Sequence, residues 1–310
     1  MHSLRRIRSF VAVFEEGSFT AAAEREGATQ SGVSQHVKQL EDFLATPLFQ
    51  RDGRAVTPTA AGRRYYEECV AVLRRLDAAS RDVRAAGTFS DPVRVGLMPT
   101  FTRALLSPTL ERYLDAAPTA EIRVTEAYSA VLTEMVLKGD LDFAVVPGAA
   151  PVVGLSATLL VRDRELLVAA RGRTGDHLAP ARLSGMGPLK FVLPSLQNAR
   201  RRNLETYFSV NDVHVERRLE LDAMMGTLRF VEATDWVAVL PSVMMFNELD
   251  GERFDIRPLA EPALFADFVL IEPARRAMTP AAKLFSDLLA EEAVRATEFR
   301  RTRIGRDPAA

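Results

Sequence analysis

Residues 29–41 read TQSGVSQHVKQLE. Val33, Val37, Leu40 and Leu44 recur at helical spacing and form one apolar stripe. Ser31, Ser34, Gln35 and Lys38 fall on the opposite face, and Thr29 stands where its hydroxyl can cap a free backbone N–H. That outer face is short, polar and able both to donate and to accept hydrogen bonds, as reading base edges in a major groove requires. Taken alone, the pattern equally fits an ordinary solvated helix.

The flanking residues decide between the two. Upstream, Leu4, Ile7, Phe10, Val11 and Phe14 make residues 3–16 an amphipathic helix that Gly17 ends. Ser18 caps SFTAAAERE, a short Ala-rich helix, and Gly27 supplies a tight turn before the quoted segment. Helix, Gly-bearing turn and second helix with an exposed polar face make a helix-turn-helix. Downstream, PLFQRDGRAVTP places Asp52-Gly53 between extended runs at 48–51 and 54–57, the signal of a two-residue hairpin. Arg51 and Arg54 lie at its base and tip, so the hairpin is a basic wing placed for phosphates or the neighbouring minor groove.

These stretches (SFTAAAE, QSGVSQHVKQLED, PLFQRDGR and TPTAAG) resemble the winged helix-turn-helix of LysR-type transcriptional regulators over residues 1–66. The chain departs from many members in one place: Ser34 is followed by Gln35 rather than Arg. Gln pairs in two-point fashion with adenine, whereas Arg prefers guanine, so one base preference of the half-site is expected to differ.

A chain of 310 residues is more than one core usually organises. Its formal net charge of −1 argues against a nonspecific polybasic binder. Residues 1–66 hold nine Lys and Arg against seven Asp and Glu, so any basic surface is local. Cys69 is the single cysteine, which excludes an internal disulfide and suits a cytoplasmic location. The apolar run FVAVF at the N-terminus meets Glu15-Glu16 and is too short for a signal peptide, and no segment reads as a membrane span.

Thr57-Pro58-Thr59 closes the wing, and residues 60–86 read as a long helix. Val72, Leu73, Leu76, Ala79 and Val83 follow a roughly heptad stripe suited to pairing, with Leu73, Leu76 and Val83 as the expected dimer contacts. The resemblance identifies this as the linker helix through which such regulators dimerise. GTFSDP breaks it at 87–92, after which extended apolar runs alternate with helices, the pattern of parallel sheets covered on both faces. Expected strands are VRVGL, EIRVTE, LDFAVV, ELLVAA, LKFVLP, VERRLEL, WVAVLP and FADFVLIE, with helices near 101–116, 129–138, 198–209, 222–232 and 279–297.

The expected fold is thus α/β: a winged helix-turn-helix at 1–58, a linker helix at 59–87, and an effector domain at 92–297, followed by an Arg-rich tail at 298–310 expected to fray. By resemblance, the effector domain is like a small periplasmic binding protein, with lobe one at 92–161 and 266–297 and lobe two at 162–265. In open α/β sheets ligands bind beyond the C-terminal strand ends, which here carry Met98-Pro99-Thr100, Ala127 to Ser129, Pro147-Gly148, Pro194-Ser195, Asp222 and Pro241. Helix starts at several of these suit anions. Thr100, Thr102, Ser129 and Ser195 add hydroxyl donors there, and the resemblance implies effector contacts at Thr100, Ser129, Pro147, Ser195 and Gln197; with Phe101, these residues are the expected effector set. The DNA-binding set is Gln30, Ser31, Ser34, Gln35, Lys38, Arg51 and Arg54. The stretch FVLPSLQNARRRNLE is similar to a branch of the family that includes nitrogen-assimilation regulators, without assigning a pathway.

The expected function is sequence-specific transcription regulation in response to a small anionic or polar effector. Expected partners are double-stranded DNA with paired half-sites and further copies of the chain, as a homodimer or, by resemblance, a homotetramer, with RNA polymerase as an additional partner. An enzyme built on the α/β lobes is the first alternative. It lacks a constellation: His2, His36, His177 and His214 are scattered without metal-ligand spacing, and no nucleophile elbow, P-loop or dinucleotide fingerprint is present. No catalytic residue, metal or cofactor is therefore assigned. A ligand-independent DNA-architectural protein is the second alternative, and it leaves the two-lobed module without a role.

Overall fold

The computed structural model describes residues 3–52, 55–84, 92–148 and 150–304. The chain divides into two compact units. One comprises Met1–Ala86 with Val152–Leu155 and Pro273–Ala277, and the other comprises the rest.

The first unit begins with three helices: α1 (Leu4–Glu16), α2 (Phe19–Glu26) and α3 (Gln30–Leu44). Gly17 and Gly27 end α1 and α2 with positive φ of 59° and 61°, a conformation glycine adopts without a steric cost. The Ser18 hydroxyl accepts the Ala21 N–H at 3.3 Å, and Thr29 accepts the Gly32 N–H at 3.2 Å. Phe10, Val11, Val33, Val37, Leu40, Leu48 and Phe49 bury together in one core. The Phe10 ring lies 5.4 Å from both Phe49 and Tyr65.

The wing consists of β1 (Phe49–Asp52) and β2 (Ala55–Pro58), paired antiparallel. The last pair in register is Asp52 with Ala55. The connection is therefore shifted one residue from the expected Asp52-Gly53, and its residues 53 and 54 lie outside the described set. Helix α4 (Ala60–Arg84) follows, its first turn capped by Thr59, whose hydroxyl accepts the Gly62 N–H at 2.9 Å and donates to the Pro47 carbonyl at 2.9 Å. Here α4 crosses the backbone closely: a Cβ added to Gly62 would stand 2.1 Å from the Leu48 carbonyl oxygen.

The apolar stripe of α4 does not act as one surface. Leu73 is 6% exposed and joins the core beneath α1 and α3 together with Cys69, whereas Val72 and Leu76 are exposed. Leu73 is thus corrected from dimer contact to core residue. The heptad register cannot separate the two because residues one turn apart on a long helix share a stripe while its near side is claimed by the domain's own core. The Val83 side chain lies outside the described set.

In the second unit, β3 (Val93–Leu97), β4 (Ile122–Glu126) and β5 (Phe143–Pro147) form a parallel sheet in the order β4-β3-β5. A continuous helical stretch follows β3: α5 (Pro99–Phe101), a wider turn at Thr102–Leu106, and α6 (Ser107–Ala116). Helix α7 (Ser129–Lys138) joins β4 to β5. A second group contains β6 (Leu155–Ala170), β7 (Leu189–Leu193), β8 (Val215–Glu220), β9 (Val237–Pro241) and β10 (Phe254–Pro258), with α8 (Ala199–Val210) and α9 (Met224–Ala233) between strands. Strand β11 (Phe265–Pro273) returns to pair with β5, and α10 (Pro280–Ile304) packs back on the first sheet's core.

Four expectations are revised here. The expected strand ELLVAA is only the end of a single 16-residue strand, β6. Strand β10 has no counterpart among the expected strands. The sheets are mixed, because β6 pairs antiparallel with β9 and β10, and β11 with β5. Finally, the tail does not fray at 298: α10 runs to Ile304, and Arg300 is 1% exposed, close to the equally buried Asp163 of β6. Residues 305–310 lie outside the described set.

Candidate functional site

The first candidate surface is the outer face of α3. Burial of Val33, Val37 and Leu40 fixes the helix's rotation and turns Gln30, Ser31, Gln35 and Lys38 fully outward, with Ser34 half-buried beside them. The Ser31 hydroxyl lies 3.3 Å from that of Thr29, so part of its bonding is met at the cap. His36 turns inward, its Nδ1 2.9 Å from the Ser9 hydroxyl of α1. The row therefore presents amides, hydroxyls and one ammonium on a rigid helix held by its own core. Arg51 has its backbone in β1, with its side chain outside the described set, and Arg54 lies wholly outside it.

Two acidic residues that sequence reading passed over hold this surface in place. Glu41, near the end of α3, accepts the N–H groups of Leu48 at 2.7 Å and Phe49 at 3.1 Å, which ties the helix to the root of the wing. Glu15, at the end of α1, pairs with Arg25 of α2 and accepts the Tyr66 hydroxyl at 2.9 Å. Both lie in motifs rich in charge, and only their folded partners distinguish them from solvated carboxylates.

The second candidate is a cleft of about 540 Å³ at the C-terminal ends of β4 and β8, in the second unit. Pro99, Thr102, Arg103, Glu126, Ala127 and Tyr128 line it from one side, and Asp222, Ala223, Met224, Met225 and Gly226 from the other. The first group belongs to elements of the β3-β4-β5 sheet, and the second follows β8 into α9. Of the expected effector residues, Thr102 lines this cleft, donating its hydroxyl to Glu126 and 3.2 Å to the Pro99 carbonyl. Thr100 is 1% exposed in the first turn of α5, Ser129 is buried at the first position of α7, and Pro147 is buried at the end of β5. Ser195 joins indirectly, because its N–H donates 2.9 Å to Asp222. Gln197 is exposed, its N–H donating to the Ser195 hydroxyl at 3.3 Å.

Phe101 is corrected. Its ring is fully buried, edge-on to Phe268 with centroids 5.0 Å apart, and it belongs to the core of the first lobe. The helical turn begun at Pro99 points adjacent residues in different directions, so Thr102 meets the cleft while Phe101 meets the sheet. Glu126, Arg103 and the run Ala223–Gly226 are lining residues that sequence reading missed, since only folding brings the two chain regions together.

Charge in the cleft is uneven. Arg103 donates 2.5 Å to Glu248 and 2.5 Å to the Met244 carbonyl, so its charge is matched. Burial pushes the Tyr128 hydroxyl above its ordinary pKa, and the nearby charges of Asp222 and Glu126 push it further. Elsewhere, burial pushes the Cys69 thiol up to about 11, which keeps it protonated at neutral pH. Among the described residues, no group of three or more His, Cys, Asp or Glu could hold a metal ion, and no helix is long and apolar enough to cross a membrane.

Known protein families match the chain in two regions. Residues 4–63 match the bacterial regulatory helix-turn-helix protein of the lysR family, and residues 86–294 match the LysR substrate binding domain. The nitrogen assimilation regulatory protein nac of Escherichia coli strain K12 is 28% identical over 289 residues, covering 93% of this chain and 94% of that protein. The glycine cleavage system transcriptional activator of the same strain is 28% identical over 258 residues, covering 81% of this chain and 80% of that one. Among solved structures, an H2O2-bound mutant of OxyR from Corynebacterium glutamicum is similar in fold, with a TM-score of 0.58 at 19% identity over 97% of each chain. Full-length CbnR complexed with its target DNA has a TM-score of 0.54 at 18% identity over 94% of this chain and all of that one. A helix-turn-helix with an outward polar face and a two-lobed ligand-binding domain, each matched by a family description, make this chain a member of the LysR family of transcriptional regulators, with a DNA-binding headpiece and an effector-binding domain.

Proposed function

We propose that α3 reads base edges of an operator half-site through Gln30, Ser31, Ser34 and Gln35, while Lys38, Arg51 and Arg54 neutralise phosphates. The carrying observation is the rotation of α3: Val33, Val37 and Leu40 are buried to 1% exposure or less, which leaves the polar row outward. The CbnR structure with its target DNA supports the same use of the headpiece. The domain division that goes with this reading is 1–58, 59–87 and 92–297, and the protein acts in the cytoplasm.

One headpiece reads little DNA, so two half-sites require two copies. The dimer surface is the outer face of α4, at Val72 and Leu76, which are 52% and 39% exposed, continuing toward Val83. A pair of dimers and contact with RNA polymerase complete the reading by analogy with the family. Leu76→Asp places a charge in that seam. Analytical ultracentrifugation is expected to show dissociation toward monomer, with operator affinity reduced at least ten-fold; unchanged mass contradicts the seam.

The effector is a small polar metabolite seated in the cleft at Thr102, Glu126, Tyr128 and Asp222. Its binding changes transcription through a different affinity for two arrangements of the oligomer. Thr102→Val preserves shape and removes the hydroxyl that holds Glu126. Reporter assays in cells are expected to show an impaired inducer response, with footprints of the unliganded protein on the operator still present. A normal inducer response moves the effector elsewhere.

A further inference from the structure

Among the described residues, the two carboxylates of the cleft have no cationic partner. Glu126 is bonded by the Thr102 hydroxyl and Asp222 by the Ser195 N–H, and no ion pair to either exists among the described residues. Each accepts those neutral donors on one oxygen and retains a second oxygen for another donor. They approach from opposite sides, one at the end of β4 and one just after β8. The single Arg of the lining, Arg103, is already matched by Glu248 at 2.5 Å. The larger of the remaining lining side chains are Tyr128, Met224 and Met225, an aromatic ring and two flexible thioethers, beside the smaller Pro99, Ala127 and Ala223.

A cavity of about 540 Å³ with this lining rejects a simple anion and suits a cation carrying apolar bulk. Glu126 and Asp222 are both exposed to solvent, and a cation between them would pair with both charges. Methionine side chains conform to varied apolar shapes, and an aromatic face attracts an ammonium. The cleft also has donors for a second ligand group. Tyr128 and Ala223, the residues preceding α7 and α9, both line it, and neither helix start is capped by a side chain.

We infer that the effector carries a protonated amine held between Glu126 and Asp222, beside an apolar group packed on Tyr128, Met224 and Met225. This rests on the cleft being the effector site and narrows the polar-or-anionic expectation to an amine. The shared chemistry is that of an apolar amino acid or the alkylamine obtained by removing its carboxylate; the uncapped starts of α7 and α9 would take the carboxylate of the former.

Calorimetry on the full-length protein with matched probes tests this: L-leucine and L-phenylalanine, the amines 3-methylbutylamine and phenethylamine, and the amine-free acids 4-methylpentanoate and 3-phenylpropionate. Binding is expected for at least one amine-bearing series and at least ten-fold weaker for its amine-free acid. Leucine or phenylalanine binding more tightly than its amine assigns the helix starts to the carboxylate, and the reverse assigns the ligand to the amines. The Glu126→Gln/Asp222→Asn protein, which keeps both neutral hydrogen bonds possible, is expected to lose ten-fold or more of that affinity. Trp236 fluorescence on urea unfolding reports whether it is folded, and Glu126→Gln alone is used if it is not. Amine-free acids binding as well as their amino counterparts, no binding by any amine in the panel, or undiminished binding by the neutralised protein overturns the ligand class. None of these removes the cleft as effector site, which the Thr102→Val response decides separately.

Discussion

Arg200→Met is expected to destabilise the effector domain by about 3–5 kcal/mol, the cost of leaving one partner of a buried ion pair uncompensated. Arg200 of α8 and Glu165 of β6 are each 3% exposed at the side chain. The guanidinium donates 2.8 Å and 2.6 Å to the two carboxylate oxygens and 3.1 Å to the Val239 carbonyl. Glu165 is 2% exposed, so loss of Arg200 leaves its charge buried without that partner. Arg200→Lys keeps the charge and loses the two-point geometry, and should fall between. Replacing both partners, as Arg200→Met/Glu165→Leu, should recover most of the loss, because two apolar groups leave no buried charge behind. Urea unfolding read by Trp236, the single tryptophan and next to β9, measures all three. An Arg200→Met midpoint equal to that of the wild-type protein contradicts the assignment.

Gly62→Ala is expected to abolish operator binding through the fold of the headpiece rather than through any contact with DNA. The added Cβ would meet the Leu48 carbonyl at 2.1 Å, and that carbonyl also accepts the Thr59 N–H at 2.9 Å at the root of the wing. Relief requires α4 and the wing to separate, an overpacking cost of about 3 kcal/mol. The control is Gly226→Ala in α9, where the new Cβ would meet Ala223 at an ordinary 3.4 Å. Limited proteolysis should cleave within residues 4–63 of the Gly62→Ala protein under conditions that leave the Gly226→Ala protein intact. Equal resistance would show that the crossing of α4 over Leu48 is looser than the 2.1 Å approach implies.

The headpiece was legible in the sequence because its signals are local. Gly17, Ser18, Gly27 and Thr29 punctuate helices whose apolar periodicity names the buried side, and all four end up at helix ends. The linker helix was legible as a helix but not in its packing. Leu73 and Leu76 obey one heptad rule, and only the presence of a core beneath α4 sends the first inward. The effector domain was legible as alternation of strands and helices. Strand β6 escaped because its exposed first half and buried second half look like two segments, and β10 because FDIRP carries Asp255 and Arg257 in place of an apolar run. Cleft residues were legible as strand ends for Tyr128 and Asp222. Glu126 and Met224 were not, since their meeting depends on two sheets whose strands lie far apart in the chain. The same distance made Phe101 look like a ligand contact: its neighbours Thr100 and Thr102 marked the region, while its direction was set by Phe268 in a strand formed much later.

We propose above that Gln35, held outward by the buried stripe of α3, reads a base. It is tested most directly by selecting bound duplexes from a library randomised across the operator, with the wild-type protein and with Gln35→Ala. Gln35→Ala is expected to bind the preferred operator more weakly by about 1–3 kcal/mol and to lose preference at one position of each half-site. Lys38→Ala, by contrast, should weaken all sequences evenly and flatten the salt dependence. Identical affinity and identical base preference for Gln35→Ala and the wild-type protein would contradict the placement of α3 against the bases.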